Sequence, residues 1–218
     1  MISPQTIRRT GWRRSPRSWA LRFFSVARQA AASTPLFHPA AEVVGAALVK
    51  GALKDGNDVT IRAMRPDDKQ RLVTAFLHLQ PQTIRTRFFC PKKILSEDDL
   101  RWLDDVGQAN HMGLAATVTE GCDELVVGEG SYVVLGRSAE IGFTVADAWQ
   151  GRGIASRLLR HLARIARDRG VNEFEAYVLP DNEPMLAVFR RSGLPMSIRY
   201  AEGVLHVTLA LDSPSISR

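Results

Sequence analysis

A strand, a glycine-rich turn and an amphipathic helix follow one another without a gap in the second half of the chain. Residues 139–145 alternate as a strand does, and Gln150-Gly151-Arg152-Gly153-Ile154-Ala155 opens a helix that extends to about residue 169. The first N–H groups of a helix have no partner within it, and the helix dipole places partial positive charge at the same end. This stretch therefore predicts an anion site suited to a phosphate or a pyrophosphate.

The positive charge of the chain is unevenly distributed. The whole sequence of 218 residues has a net charge of +6, but residues 1–41 contain seven Arg, no Lys and no acidic residue. Of the 29 Lys and Arg, 22 are left in residues 42–218, where they face 23 acidic residues. Because the folded part is close to neutral, we expect no nucleic-acid partner for it.

The acid-free composition of residues 1–41 resembles an organelle transit peptide. An amphipathic helix on anionic lipid and an unstructured extension are the other open interpretations. No run approaches the roughly 18 apolar residues of a membrane span, so no transmembrane segment is expected. We predict a domain at 56–212, between a basic, disordered extension at 1–55 and a short tail at 213–218. The expected location is the cytoplasm, unless the extension directs the protein to an organelle.

Hydrophobic periodicity predicts twelve elements in the order strand, three helices, three strands, helix, strand, helix and two strands. This order indicates a single mixed α/β domain. Residues 42–54, just before it, are compatible with either a weak helix or a strand.

The order of elements and two motifs resemble the GNAT N-acetyltransferase family. Gln150-x-x-Gly153-x-Ala155 is similar to the family's acetyl-CoA signature, and the segment from Asn182 to Gly193-Leu194 is similar to its second motif. The resemblance covers about residues 57–211. It implies an α/β (α+β) fold, in which a mixed, mostly antiparallel sheet of about seven strands is flanked by helices.

Three further stretches are similar to the acetyltransferase domains of bacterial protein lysine acetyltransferases. They are residues 83–89, residues 95–100 and the pair Ala139-Glu140. The resemblance implies acetyl-CoA as co-substrate and an amine acceptor, a protein lysine in this branch. It implies no metal, and the five His residues also have no metal-ligand spacing.

The resemblance also implies roles for individual residues in holding the cofactor. The main chains of Phe143 and Val145 would bond the pantetheine arm, while Asn182 would contact that arm or a water, or cap the next helix. The N–H groups that would surround the pyrophosphate follow Gln150 and belong to Gly151, Arg152, Gly153, Ile154 and Ala155. The side chains of Arg152 and Arg157 either add charge there or form a solvated face.

Glu140 is the candidate general base. An acceptor lysine has a pKa near 10.4 and must lose a proton before it attacks the thioester. Among the residues that share a face of strand 139–145 with Glu140, none other is ionisable. The lysine acetyltransferases that the chain resembles have their base, a Glu, at this strand position. The alternative is a solvent-exposed strand Glu.

The general acid is not identified by the sequence. Many relatives place a Tyr seven residues after the Asn of the second motif, whereas this chain has Phe189 there. Tyr132 and Tyr177 are the open alternatives.

Three functions therefore stay open. The first is transfer of an acetyl group to a protein lysine, and the second is transfer to a small amine. The third is an acetyl-CoA-binding regulatory module without catalysis. The sequence is compatible with a monomer or a homodimer.

Overall fold

The computed structural model describes residues 49–107 and 110–211. The segment that resembles a transit peptide, and the tail at 213–218, lie outside the described residues. Within the described ranges, no helix has the length and apolar character needed to cross a bilayer.

In the described ranges, eight strands form one sheet. They are β1 (Val49–Ala52), β2 (Asp58–Ala63), β3 (His111–Glu120), β4 (Asp123–Leu135), β5 (Ser138–Val145), β6 (Glu173–Val178), β7 (Met196–Ala201) and β8 (Val204–Ala210). Their order in the sheet is β1-β2-β3-β4-β5-β6-β8-β7. Neighbouring strands are antiparallel except β5 and β6, which are parallel.

Five α-helices connect the strands in the part of the chain that the structure describes. They are α1 (Lys69–Leu77), α2 (Pro81–Phe88), α3 (Glu97–Leu100), α4 (Ile154–Asp168) and α5 (Glu183–Arg190). Local sequence explains several helix starts: Pro81 occupies the first turn of α2, where its missing N–H costs nothing. Ser96 caps α3, because its hydroxyl accepts from Asp99 N–H while the Asp99 carboxylate accepts from Ser96 N–H.

The sheet lies between two helical layers. On one face, α4 buries Leu158, Leu159 and Leu162 in the main hydrophobic core, and α5 adds Leu186 and Phe189. On the other face, α1, α2 and α3 contribute to two smaller apolar clusters around Trp102 and Phe76. Because β5 alternates, Ile141 and Phe143 belong to the main core, whereas Glu140 and Thr144 face the α1–α2 layer.

This architecture confirms the predicted fold class, and the seven predicted strands occur in the predicted order. The eighth strand, β1, comes from the segment that was compatible with a helix or a strand. It pairs with β2, Val49 opposite Ile61 and Ala52 opposite Asp58. The sheet therefore begins before residue 56, because the Asp55-Gly56 turn closes a hairpin instead of separating the domain from an extension.

The parallel pair β5–β6 separates along its length. Register runs from Ser138 opposite Glu173 to Glu140 opposite Glu175, and then β5 continues to Val145 while β6 continues to Val178. The two strands therefore diverge after Glu140 and leave a gap in the sheet.

Candidate active site

A cleft of about 470 Å³ occupies the gap between β5 and β6. A volume of this size is typical of small-molecule sites. The cleft brings together nine of the ten residues that the sequence analysis selected, which are Glu140, Phe143, Val145, Gln150, Gly151, Gly153, Ile154, Ala155 and Asn182. The tenth, Arg152, is not among its lining residues.

The glycine-rich turn forms one end of the cleft. Gly151 and Gly153 have φ angles of 73° and 94°, a left-handed conformation that strongly favours glycine. The first turn of α4 closes with a bond from Arg157 N–H to the Gly153 carbonyl at 3.1 Å. The N–H groups of Ile154 and Ala155 therefore have no acceptor within the helix, and they lie at the positive end of its dipole.

The arginines of this turn contact protein groups. The Arg152 guanidinium pairs with Asp55, donates to the Ala148 carbonyl at 2.7 Å and lies over the Trp149 ring. Arg157 donates to the Ala52 carbonyl. Both side chains thus hold the β1–β2 hairpin against the start of α4. The sequence had suggested either added charge at the pyrophosphate or a solvated face, and neither includes these contacts.

Lys54 supplies a cation at this end of the cleft. It lines the cleft on the β1–β2 hairpin, and its Cε lies 3.9 Å from the position that a Cβ on Gly153 would occupy. Lys54 was not predicted from the sequence, because the residue precedes the expected domain start and reaches the turn only through the hairpin.

The backbone of β5 forms the long wall. Ala146, directly after β5, donates its N–H to the Val127 carbonyl of β4. By alternation along the strand, the backbone groups of Phe143 and Val145 point away from β4, toward the gap. The Val145 carbonyl accepts from the Gln150 side-chain amide at 3.1 Å, so Gln150 connects the strand to the turn.

Helix α2 covers the gap and is held by carboxylates that follow both diverging strands. Asp147, after β5, accepts from Gln80 N–H at 2.8 Å and from the Thr83 hydroxyl at 2.6 Å. Asp181, after β6, accepts from Arg85 at 2.6 Å, and the bond from Arg85 holds the pKa of Asp181 below its ordinary value. The cover therefore has a fixed position over the cleft.

Glu140 lies where the strands diverge, with 7% of its surface exposed. Its register partners are Val133 on β4 and Glu175 on β6. A buried carboxylate at the wall of a cleft differs from the solvent-exposed strand Glu that was the alternative interpretation.

A second buried acid, Glu129, lies on the same face and was not selected from the sequence. It stands opposite Thr144, whose hydroxyl donates to Glu129 Oε1 at 2.8 Å, and Arg87 Nε donates to the same oxygen at 3.2 Å. One signal was available: an acid between Gly128 and Gly130, in the middle of a strand, is costly to bury without a cation.

The remaining candidates have clear positions. Asn182 lines the cleft and caps α5, since its Oδ1 accepts from Met185 N–H at 3.3 Å.

Phe189 is buried against Phe143, with ring centroids 6.3 Å apart, and has no hydroxyl to donate. Tyr132 lies on the core face of β4, fully buried and away from the cleft, and burial raises its pKa. Tyr177 lines the cleft and stacks on His206 at 5.0 Å.

These features are those of the N-acetyltransferase class: diverging parallel strands, a helix start that presents N–H groups, and a carboxylate at the point of divergence. The model of the acetyltransferase (GNAT) domain family matches residues 58–195. The chain therefore belongs to the GNAT acetyltransferase family, whose members use acetyl-CoA as co-substrate. Among the described residues, no group of three or more acidic, His or Cys side chains could hold a metal ion.

Three individual proteins show how similar this chain is to known acyltransferases. Acetyltransferase Pat of Mycolicibacterium smegmatis is 32% identical over 144 residues, which cover 65% of this chain and 42% of that protein. The crystal structure of the GNAT domain of S. lividans PAT is 32% identical, with a TM-score of 0.68 over 75% of this chain and 96% of that domain. A cAMP-binding acyltransferase from Mycobacterium smegmatis is 26% identical with a TM-score of 0.53, covering 89% of this chain and 53% of that protein. The chain thus spans about half the length, or less, of two of these relatives.

Proposed function

We propose that this protein transfers the acetyl group of acetyl-CoA to the side chain of a lysine in a protein. The observation that carries the proposal is the divergence of β5 and β6 at Glu140, which opens a cleft between the base and the N–H groups of α4. A pyrophosphate fits the α4 end, an extended pantetheine arm fits the wall of β5, and the thioester then lies near Glu140.

Glu140 acts as the general base. It accepts a proton from the acceptor ammonium, and the neutral amine nitrogen attacks the thioester carbonyl carbon. The new C–N bond forms as the C–S bond breaks, and the thiolate leaves with the electron pair. Backbone N–H groups of β5 that point into the gap stabilise the negative charge that develops on the carbonyl oxygen.

The leaving group requires no phenol at position 189. A thiol has a pKa near 8.5, so its thiolate is a tolerable leaving group and takes its proton from water or from Tyr177. Tyr177 lines the cleft, whereas Tyr132 is buried in the main hydrophobic core and does not line the cleft.

The lysine acceptor is supported by the charge at the point of divergence. Glu140 and Glu175 are register partners there, and paired carboxylates attract a cationic amine. The similarity to Pat and to the PAT domain agrees with this choice of acceptor.

Mixing the protein with acetyl-CoA and a panel of acceptors tests the proposal. The panel contains lysine-bearing proteins, lysine peptides and small primary amines; thiol release and mass spectrometry give the readouts. We expect thiol release with protein lysines and a mass increase at lysine. If small amines were acetylated faster than protein lysines, the acceptor would be a small amine and not a protein lysine.

A non-catalytic acetyl-CoA-binding module is the second candidate, which Phe189 favours because it removes one potential acid. Calorimetry would then detect acetyl-CoA binding while no member of the panel gives thiol release. Absence of acetyl-CoA binding would refute both candidates.

A further inference from the structure

Arg87 enters the cleft from α2 and is held there by a buried acid. Only 11% of its side chain is exposed, and Nε donates to Glu129 Oε1 at 3.2 Å and to Thr144 Oγ1 at 3.1 Å. Glu129 is buried too, and its Oε2 has no hydrogen-bond partner among the described residues. An acid buried in this way depends on the Arg87 charge, so the pair fixes the guanidinium in position.

The far end of the guanidinium lies over Gly142. A Cβ on Gly142 would meet Arg87 Nη1 at 3.2 Å and Nη2 at 3.4 Å. Thr144, Gly142 and Glu140 follow one another on the same face of β5, about 7 Å apart per pair of residues. Arg87 therefore extends along this row, with Nε at Thr144 and its terminal nitrogens at Gly142, which is one position along the row from Glu140.

We propose that Arg87 is a positioning residue that keeps the carboxylate of Glu140 ionised and oriented for proton transfer. This inference rests on the role of Glu140 in the proposed function. A cation beside a carboxylate favours its charged form, and a planar guanidinium donates along fixed directions. Gly142 then has a specific purpose, since a larger residue there would displace the guanidinium.

The other groups around Glu140 act in the opposite direction. Burial disfavours its charge, and so does Glu175, its register partner on β6, although His206 contacts Glu175 at 3.1 Å. Val133 on β4 is uncharged. Glu129 is also acidic, but it lies on the far side of the guanidinium. Arg87 supplies positive charge from the α2 side, which is why its removal should be measurable at Glu140.

Titration of the Glu140 carboxyl by NMR, with ¹³C-labelled Glu and with Glu140→Gln for assignment, tests this proposal directly. We expect Arg87→Met to move the midpoint upward by about one pH unit, a tenfold change in the acid constant. Arg87→Lys keeps the charge and should move it less, since it loses the fixed geometry. The acid limb of the kcat/KM profile should move in the same direction, so that the loss is largest at low pH.

Gly142→Ala gives an independent perturbation. The added Cβ displaces the guanidinium, so the midpoint should move upward. In the double variant Gly142→Ala with Arg87→Met, the midpoint should move no further than in Arg87→Met alone, because no guanidinium is left to displace. Arg101→Met is the control, because Arg101 is an exposed arginine that pairs with Asp98, and neither residue lines the cleft. It should leave the midpoint where it is.

If Arg87→Met does not fold, Arg87→Met with Glu129→Leu removes the pair together and avoids an uncompensated buried acid. A folded variant whose Glu140 midpoint is unmoved overturns the inference, as does a loss of activity that is equal at every pH. The NMR titration needs no turnover. If the wild-type protein released no thiol, the proposed function would be refuted, but the titration would still measure the interaction between Arg87 and Glu140.

Discussion

The two ends of the cleft are formed by different kinds of chemical group. At the α4 end, the groups that face the cleft are backbone N–H groups, and Gly151 and Gly153 allow the chain to turn there. At the other end, the groups that face the cleft are the charged side chains of Glu140 and Arg87, and Glu129, buried on a third element, holds Arg87 in place.

This difference decides how each end responds to change. Backbone N–H groups belong to every residue except proline, so the α4 end depends on conformation and tolerates many side chains. The charged end depends on particular side chains, since each holds the next in place and burial strengthens their interaction. Substitutions should therefore affect acetyl-CoA affinity at the first end and turnover at the second.

The largest effect is expected at the charged end. Glu140→Gln removes the base but keeps the shape, so turnover at neutral pH should fall about a hundredfold or more while KM for acetyl-CoA stays the same. Steady-state thiol release gives both constants. Glu173→Gln, on the same strand face as Glu175 but outside the cleft, is the control. Unchanged turnover in Glu140→Gln would remove Glu140 as the base.

At the backbone end, Gly153→Ala should raise KM for acetyl-CoA about tenfold and change kcat little. An alanine at φ 94° is strained by about 1–2 kcal/mol, and the turn relaxes by moving its N–H groups. Gly203→Ala controls for strain alone, because Gly203 has φ 86° in the β7–β8 turn with no neighbour within 4 Å. Equal KM values in the two variants would show that the turn does not hold the cofactor.

Lys54 sharpens the comparison, since it is a side chain at the backbone end. Lys54→Met should raise KM for acetyl-CoA by about three- to tenfold, and the difference should shrink at high salt, as expected for an exposed charge. Lys50→Met removes an exposed lysine from the same hairpin, outside the cleft, and should change nothing. A salt-independent effect would contradict a charge contact with phosphate.

The smallest effect is expected from Thr144→Val. It removes one hydrogen bond to Glu129 and one from Arg87, worth about 1 kcal/mol in net stability, while the ion pair stays. Turnover should fall about two- to threefold, with a smaller shift of the acid limb than in Arg87→Met. A loss as large as that of Glu140→Gln would mean that Thr144 itself takes part in the reaction.

Much of the fold was predictable from local patterns. The periods of two and of about 3.6 gave seven strands and the helices in the right order, and the glycine spacing located the helix start that lines the cleft. The β1 strand was not distinguished from a helix. A four-residue edge strand acquires its identity from pairing with β2, and local propensity does not contain that information.

The sequence by itself determined the conformation at the α4 end, because positive φ angles and unpaired N–H groups are properties of a few consecutive residues. Alternation along one strand, together with the resemblance to the lysine acetyltransferases, also selected Glu140. Only the tertiary structure decided where the other charges go. It directed Arg152 and Arg157 to the β1–β2 hairpin, brought Lys54 to the cleft, and joined Arg87 to Glu129 and Thr144 across separations of 42 and 57 residues. A charge interacts with whatever lies near it in space, and periodicity along the chain does not specify those neighbours.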